Sequence, residues 1–427
     1  MRPASAEHIS RAARRCRAGG LLLVRVLALT LVAVLLAGCD REPVGAPSTT
    51  PRHTGEARAA LGQTALDDLV DALQGGSRQD AVDLATPDAR ELVGWVHDNV
   101  AALRIGELTM RYVDEGAGPG AGQKQRLGPG AWRATVEVEY RYVGFDRSSA
   151  RIETSVVFTS TGDTARIASF GGQGRRSPLW LVARLDVDRS NRSVLAVAGT
   201  TTDRYAGLVT GALAQVRRVL PRWHGPLIVE VPASRSQLAG ALNSRRGQYD
   251  GVAALTTTAD GSLEPDAPVR VLVNPAVFGE LEGRAAQVVL SHEATHVATG
   301  APFSSMPTWL LEGFADFVAL ADTGVPVDLA AGQVLARIRA EGLPEGLPTS
   351  EDLQPTAAGL GAAYEESWLA CRFLAREYGA DRLLRFHRRV GEGASTRTAF
   401  RSELGTTQQA FVLRWRADLA RLAGVAG

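Results

Sequence analysis

Lysine is almost absent from this chain of 427 residues: Lys124 is the only one among 47 Lys and Arg, which face 46 Asp and Glu for a net charge of +1. Without an excess of either sign, the chain has no strong basic field to draw it to nucleic acid or to an anionic surface. Cysteine is scarce as well. Of Cys16, Cys39 and Cys371, the first lies in an N-terminal targeting segment; if the Cys39 thiol is modified, Cys371 is left alone and an internal disulfide framework is excluded. Cys371 stands in an apolar helical stretch with Trp368, Leu369, Phe373 and Leu374 and reads as a small buried hydrophobe. The apolar run Val26 to Leu36 has eleven residues, too short to span a bilayer comfortably. Histidine numbers seven, so a pair of them four residues apart carries weight. The remaining composition, 45% hydrophobic and 22% charged, is that of a globular chain of two or three domains.

The first forty residues read as an address. Arg11, Arg14, Arg15 and Arg17 precede the apolar run, and small residues follow it, the layout of a secretory leader. Leu36-Ala37-Gly38-Cys39 resembles the lipobox of bacterial lipoproteins. That resemblance implies a signal peptide over 1–38, cleavage before Cys39, acylation of its thiol, and a mature chain lipid-anchored on the extracytoplasmic face of the cell membrane. An ordinary signal peptide or an uncleaved anchor would leave the chain on the same side. Residues 39–58 hold Pro43, Pro47, Pro51, Gly45 and Gly55 without apolar periodicity, as expected of a flexible tether.

The mature chain reads as α+β. In 59–190, Leu61, Ala65, Leu69 and Leu73 recur at helical spacing before Gly75-Gly76, and a second helix is expected from about Asp88 to Leu103. Alternating runs follow around Trp132–Tyr140, Ile152–Thr159, Arg166–Phe170 and Leu181–Val187, separated by turn residues. Helices first and then an antiparallel meander resembles the cone-shaped fold of the nuclear transport factor 2 family, whose members often bind small molecules or partners. In 191–427, a helix is expected over Tyr205–Leu220, strands over Leu227–Val231, Gly251–Thr258 and Val269–Val273, and mostly helix from Asp328 onward.

The chemistry concentrates in His292-Glu293-Ala294-Thr295-His296, on a helix expected from about Gly279 to Thr299 with Gly300 as its stop. Histidines at i and i+4 point the same way and can share one tetrahedral zinc. Leu281, Ala285 and Val288 mark the face shared with His292, which directs the histidines into the body of the domain. Glu293 is turned about 100° from His292, so it flanks the metal and can take a proton from water there. The segment Pro307-Thr308-Trp309-Leu310-Leu311-Glu312-Gly313-Phe314-Ala315-Asp316-Phe317 follows after a short loop. A catalytic zinc takes three protein ligands and keeps one position open. Glu312 can be the third ligand. Asp316, one turn on, can accept the remaining ring N–H of a ligating histidine.

These two motifs together resemble the gluzincin metallopeptidases, in the peptidase MA-like group related to thermolysin and the zinc aminopeptidases, over roughly 193–422. The resemblance implies a zincin domain with Zn2+ on His292, His296 and Glu312, and Glu293 as general base. It also implies Val269–Val273 as the sheet-edge strand that pairs with extended substrate. Thr299, Pro302 and Phe303 stand where the metzincin pattern needs Gly and a third His, and no Gly-x-Met-x-Asn exopeptidase signature precedes the zinc helix; an endopeptidase is therefore expected. For the oxyanion donor, Tyr364 resembles the tyrosine that opens a downstream helix in this group. His387 is the rival, though Arg388 and Arg389 beside it suggest a solvated face.

The expected activity is hydrolysis of peptide or protein substrates by zinc-activated water. The competing reading is a non-catalytic surface lipoprotein whose N-terminal domain binds a ligand or envelope partner. In a third, the N-terminal domain guards the cleft of an active enzyme.

Overall fold

The computed structural model describes residues 54–245, 247–354 and 356–426. The expected signal peptide, Cys39 and nearly all of the tether lie outside these residues. The last part of the expected tether does not: α1 (Thr54–Gln74) already includes residues 54–58.

The chain is α+β with two small sheets. After α1 come α2 (Arg78–Asp83) and α3 (Arg90–Leu103), then β1 (Ile105–Glu115), α4 (Ala121–Leu127), β2 (Ala131–Tyr142), β3 (Ala150–Thr161) and β4 (Thr164–Phe170). α1 buries Leu66, Leu69 and Leu73 while Asp67, Asp68 and Asp71 face solvent, the one-sided pattern of a helix laid on a sheet. α2 begins with a reciprocal capping box between Ser77 and Asp80. The four strands form an antiparallel meander in the order β1-β2-β3-β4. Along β2, Val136, Val138 and Tyr140 are buried, and Glu137, Glu139 and Arg141 between them are not, as period-two alternation requires.

Next come α5 (Leu179–Val182), β5 (Leu185–Arg189), β6 (Ser193–Ala198), α6 (Asp203–Val219), β7 (Leu227–Val231), α7 (Arg235–Leu242), β8 (Ala254–Thr258) and β9 (Val269–Val273). The strand expected over Leu181–Val187 is thus divided: its first part is helical and only Leu185 onward is strand. Buried Asn99 explains the break. Its amide donates to the carbonyls of Trp180 (2.9 Å) and Ala183 (2.7 Å) and accepts from the Leu185 amide (3.1 Å), closing a turn where alternation alone would extend the chain.

The second sheet has the order β5-β6-β7-β9-β8. β6, β7 and β9 run parallel, and β5 and β8 are antiparallel to their neighbours. β9 is therefore internal. The edge strands are β5 and β8, which corrects the expectation for Val269–Val273. Apolar runs such as Leu227–Val231, buried throughout, mark strands covered on both faces. On one face Leu195, Val197, Val229 and Val271 pack with α6 and the helices beyond. On the other, Val194, Ala196 and Ile228 join the core of the N-terminal meander. The two halves thus share the sheet between them, and β5, from the N-terminal side of residue 190, completes it.

The rest is helical: α8 (Pro275–Phe278), α9 (Gly283–Thr299), α10 (Thr308–Leu320), α11 (Val327–Ala330), α12 (Gly332–Glu341), α13 (Leu360–Tyr378), α14 (Ala380–Gly391), α15 (Thr396–Leu404) and α16 (Gln408–Ala423). Among the described residues, no helix is long and apolar enough to cross a membrane.

Candidate metal centre

α9 carries the histidine pair. It ends at Gly300, whose φ of 68° places it in the left-handed region that glycine tolerates. Its core face is Ala286, Leu290 and Ala294, all buried. Ala285 is exposed and Val288 half-buried, so His292 does not share the core face as expected. It stands on the flank turned toward α10, with 13% of its side chain exposed. That offset leaves the imidazole reachable from outside.

α10 supplies the partners. Trp309, Leu310, Phe314 and Val318 are buried in the core, which turns Glu312 and Asp316 toward α9. Gly313 sets how close α10 can come to α13: a Cβ there would lie 2.2 Å from the Ser367 carbonyl oxygen. A glycine after Glu312 is thus a packing requirement, a signal present in the sequence whose reason needs the α10–α13 contact. Cys371 is buried and free in the same seam.

Three atoms converge. His296 Nε2 is 2.9 Å from His292 Nε2 and 3.2 Å from Glu312 Oε2, and His292 Nε2 is 3.1 Å from the same oxygen. Two imidazole nitrogens and a carboxylate form a donor set suited to zinc. Ligands at about 2.0–2.1 Å around a tetrahedral ion stand roughly 3.3 Å apart, close to these separations. The residues fit a zinc ion. His292, His296 and Glu312 are the one such group of three or more His, Cys, Asp or Glu among the described residues.

The surroundings orient the set. His292 donates Nδ1–H to Asp316 Oδ1 at 2.7 Å, which leaves Nε2 as the free ligand atom. His296 Nδ1 is buried with no partner among the described residues. Burial alone would pull the His292 imidazole down, but Asp316 and Glu312 outweigh it and hold it well above its ordinary value. Burial would push the Glu312 carboxyl up, yet His296 and His292 hold it well below the usual carboxylate range. Carboxylates crowded on imidazoles in this way favour a cation at their centre.

Glu293 is buried beside the group and is no part of it. Its Oε2 accepts the hydroxyl of Thr256 on β8 at 2.7 Å. Sequence reading did not find Thr256, because no local pattern ties an edge-strand threonine to a helix 37 residues on.

Both candidate oxyanion donors are near. The Tyr364 ring centroid lies 6.2 Å from that of His292. Burial, then Glu312, Glu293 and Asp316, push its phenol up, so it keeps its proton. His387 is not on a solvated face: it is buried and stacked on Phe314 at 3.9 Å. Burial, reinforced by His296, pushes it down to about 3, so it is neutral. The sequence matches no protein-family model and no curated protein.

Proposed function

We propose that this chain is a zinc-dependent peptidase of the gluzincin type, acting as an endopeptidase from a lipid anchor on Cys39 at the extracytoplasmic face of a membrane. The observation that carries the reading is the convergence of His292 Nε2, His296 Nε2 and Glu312 Oε2 within 3.2 Å of one another. Asp316 stands behind the first histidine, and Glu293 is held apart from the ligand set. The α+β order of the C-terminal half, with a mixed sheet, an active-site helix and a helical remainder, supports a zincin domain. The helices and four-stranded meander of the N-terminal half support a nuclear transport factor 2-like domain.

Zinc bound by His292, His296 and Glu312 would polarise a carbonyl and lower the pKa of water to about 7. The chain's residues do the rest. An extended substrate adds to the free edge of β8, where backbone N–H and C=O groups await a partner. Glu293 takes the proton as water attacks the peptide carbonyl and then delivers it to the leaving amine. Tyr364, kept protonated by its surroundings, donates to the developing oxyanion. His387 stacks one ring face on Phe314, which leaves its edge nitrogens unassigned, and Tyr364 is the proposed donor.

A non-catalytic lipoprotein, with the zinc fold as scaffold for an N-terminal binding module, has less support. The N-terminal half shares its core with β6 and β7, and a scaffold gains nothing from burying Glu293 beside a cation site. The test is cleavage of labelled casein by zinc-loaded protein beginning after Cys39. Chelation and Glu293→Gln should each abolish turnover, the latter with zinc retained. Undiminished cleavage by Glu293→Gln would contradict the assignment.

A further inference from the structure

We infer that Thr256 is a positioning residue that joins the substrate-pairing edge strand to the general base, an assignment that rests on the peptidase reading above. β8 pairs with β9 in a register that sets Thr256 opposite Val271, with Thr257 opposite Arg270. Alternation then fixes the directions: Ala254 and Val271 belong to the core on the α9 side, and Thr256 shares that face. Its hydroxyl lies 2.7 Å from Glu293 Oε2 and 3.1 Å from the Glu293 carbonyl oxygen. A hydroxyl has one proton to donate, and the shorter approach to a charged acceptor takes it. Oε2 is thereby held while Oε1 is left to meet water.

The geometry has a consequence for catalysis. Glu293 is 6% exposed, and Thr256 is the side chain that fixes its carboxylate among the described residues. Because Thr256 belongs to the strand whose outer edge is proposed to receive the substrate, its hydroxyl ties the carboxylate of the base to that strand. A base displaced by about 1 Å loses much of its effect. Loss of the hydroxyl should therefore appear in turnover while substrate binding, made by the β8 backbone, is kept.

The experiment uses Thr256→Val, Thr256→Ser, Glu293→Ala and the Thr256→Val/Glu293→Ala double variant. Each is loaded with zinc for casein cleavage and with cobalt for its visible absorption spectrum. In Thr256→Val, kcat should fall about 10- to 100-fold, the range for one charged hydrogen bond, with KM within about 3-fold. Thr256→Ser should restore turnover, and in the Glu293→Ala background Thr256→Val should leave the cobalt spectrum where Glu293→Ala alone puts it. The cobalt spectrum of Thr256→Val should move toward that of Glu293→Ala, with Thr256→Ser matching wild type. Wild-type kcat and an unchanged spectrum in Thr256→Val overturn the inference, as does a spectral shift by Thr256→Val in the Glu293→Ala background equal to that seen with Glu293 present. If wild type binds cobalt but cleaves nothing, the peptidase reading fails, and the spectra alone decide the role of Thr256. A wild type that takes up no cobalt overturns both.

Discussion

Replacing Asp146 by alanine should loosen the N-terminal half from the sheet that supports the candidate metal site. Arg270 on β9 and Asp146, in the turn after β2, are each 2% exposed at the side chain and meet through two hydrogen bonds of 2.7 Å. Glu230 on β7 completes the group, 3.3 Å from Arg270 Nε and accepting the Tyr142 hydroxyl at 2.9 Å. Asp146 Oδ2 also accepts the Tyr142 amide at 2.7 Å. Removing one partner of a buried pair leaves the other charge uncompensated and costs about 3–5 kcal/mol, and the orphaned amide adds about 1 kcal/mol. Glu230 remains as a counter-charge and offsets part of this, so a net loss of about 3–5 kcal/mol is expected. Urea unfolding followed by tryptophan fluorescence reads it. The double variant Asp146→Leu/Arg270→Met should recover most of the loss, because apolar side chains can replace a buried ion pair at little cost. A loss under about 1 kcal/mol in Asp146→Ala would refute the view that this network ties the two halves together.

Three further outcomes are expected. Asp316→Asn keeps an acceptor of similar shape but removes the charge facing His292, and zinc affinity, measured by competition with a chelating dye, should weaken about 10- to 100-fold. Gly313→Ala places a methyl 2.2 Å from the Ser367 carbonyl; α10 must shift, and thermal unfolding should show a loss of about 1–3 kcal/mol together with weaker zinc retention. Glu366 is pushed up to about 7 from its ordinary 4.5, by burial against the opposing pull of Arg337. The folded state therefore holds a proton that the unfolded state releases first. The penalty is absent below about pH 4.5, grows as pH rises through 7, and reaches roughly 3 kcal/mol above it. Glu366→Gln should accordingly raise the unfolding midpoint at pH 8.5 and leave it nearly unchanged at pH 4.

Much of the site was legible because its parts are local. His292 and His296 fall one turn apart, as do Glu312 and Asp316, and helical geometry turns each pair into a common direction. The strands Leu227–Val231 and Val269–Val273 could be read from their apolar runs. What escaped the sequence depends on distant contacts. The edge position of β8 follows from strand order, which no local pattern records. His387 is flanked by Arg388 and Arg389, yet Leu383, Phe386, His387 and Val390 form the buried face of α14; the arginines dominate the composition while the helix period hides the face. The helical turn at Leu179–Val182 depends on Asn99, more than 80 residues away. Thr256 met Glu293 only once β8 was placed beside α9.

The central claim is a three-ligand metal site, and zinc content tests it most directly. Protein beginning after Cys39 is assayed by elemental analysis, wild type beside Glu312→Ala, with folding of both checked by circular dichroism. About one zinc per wild-type chain with a clear loss in the variant is the expected result, since two histidines alone leave the site one protein ligand short. Folded wild type without zinc, or equal zinc in both proteins, would contradict the account.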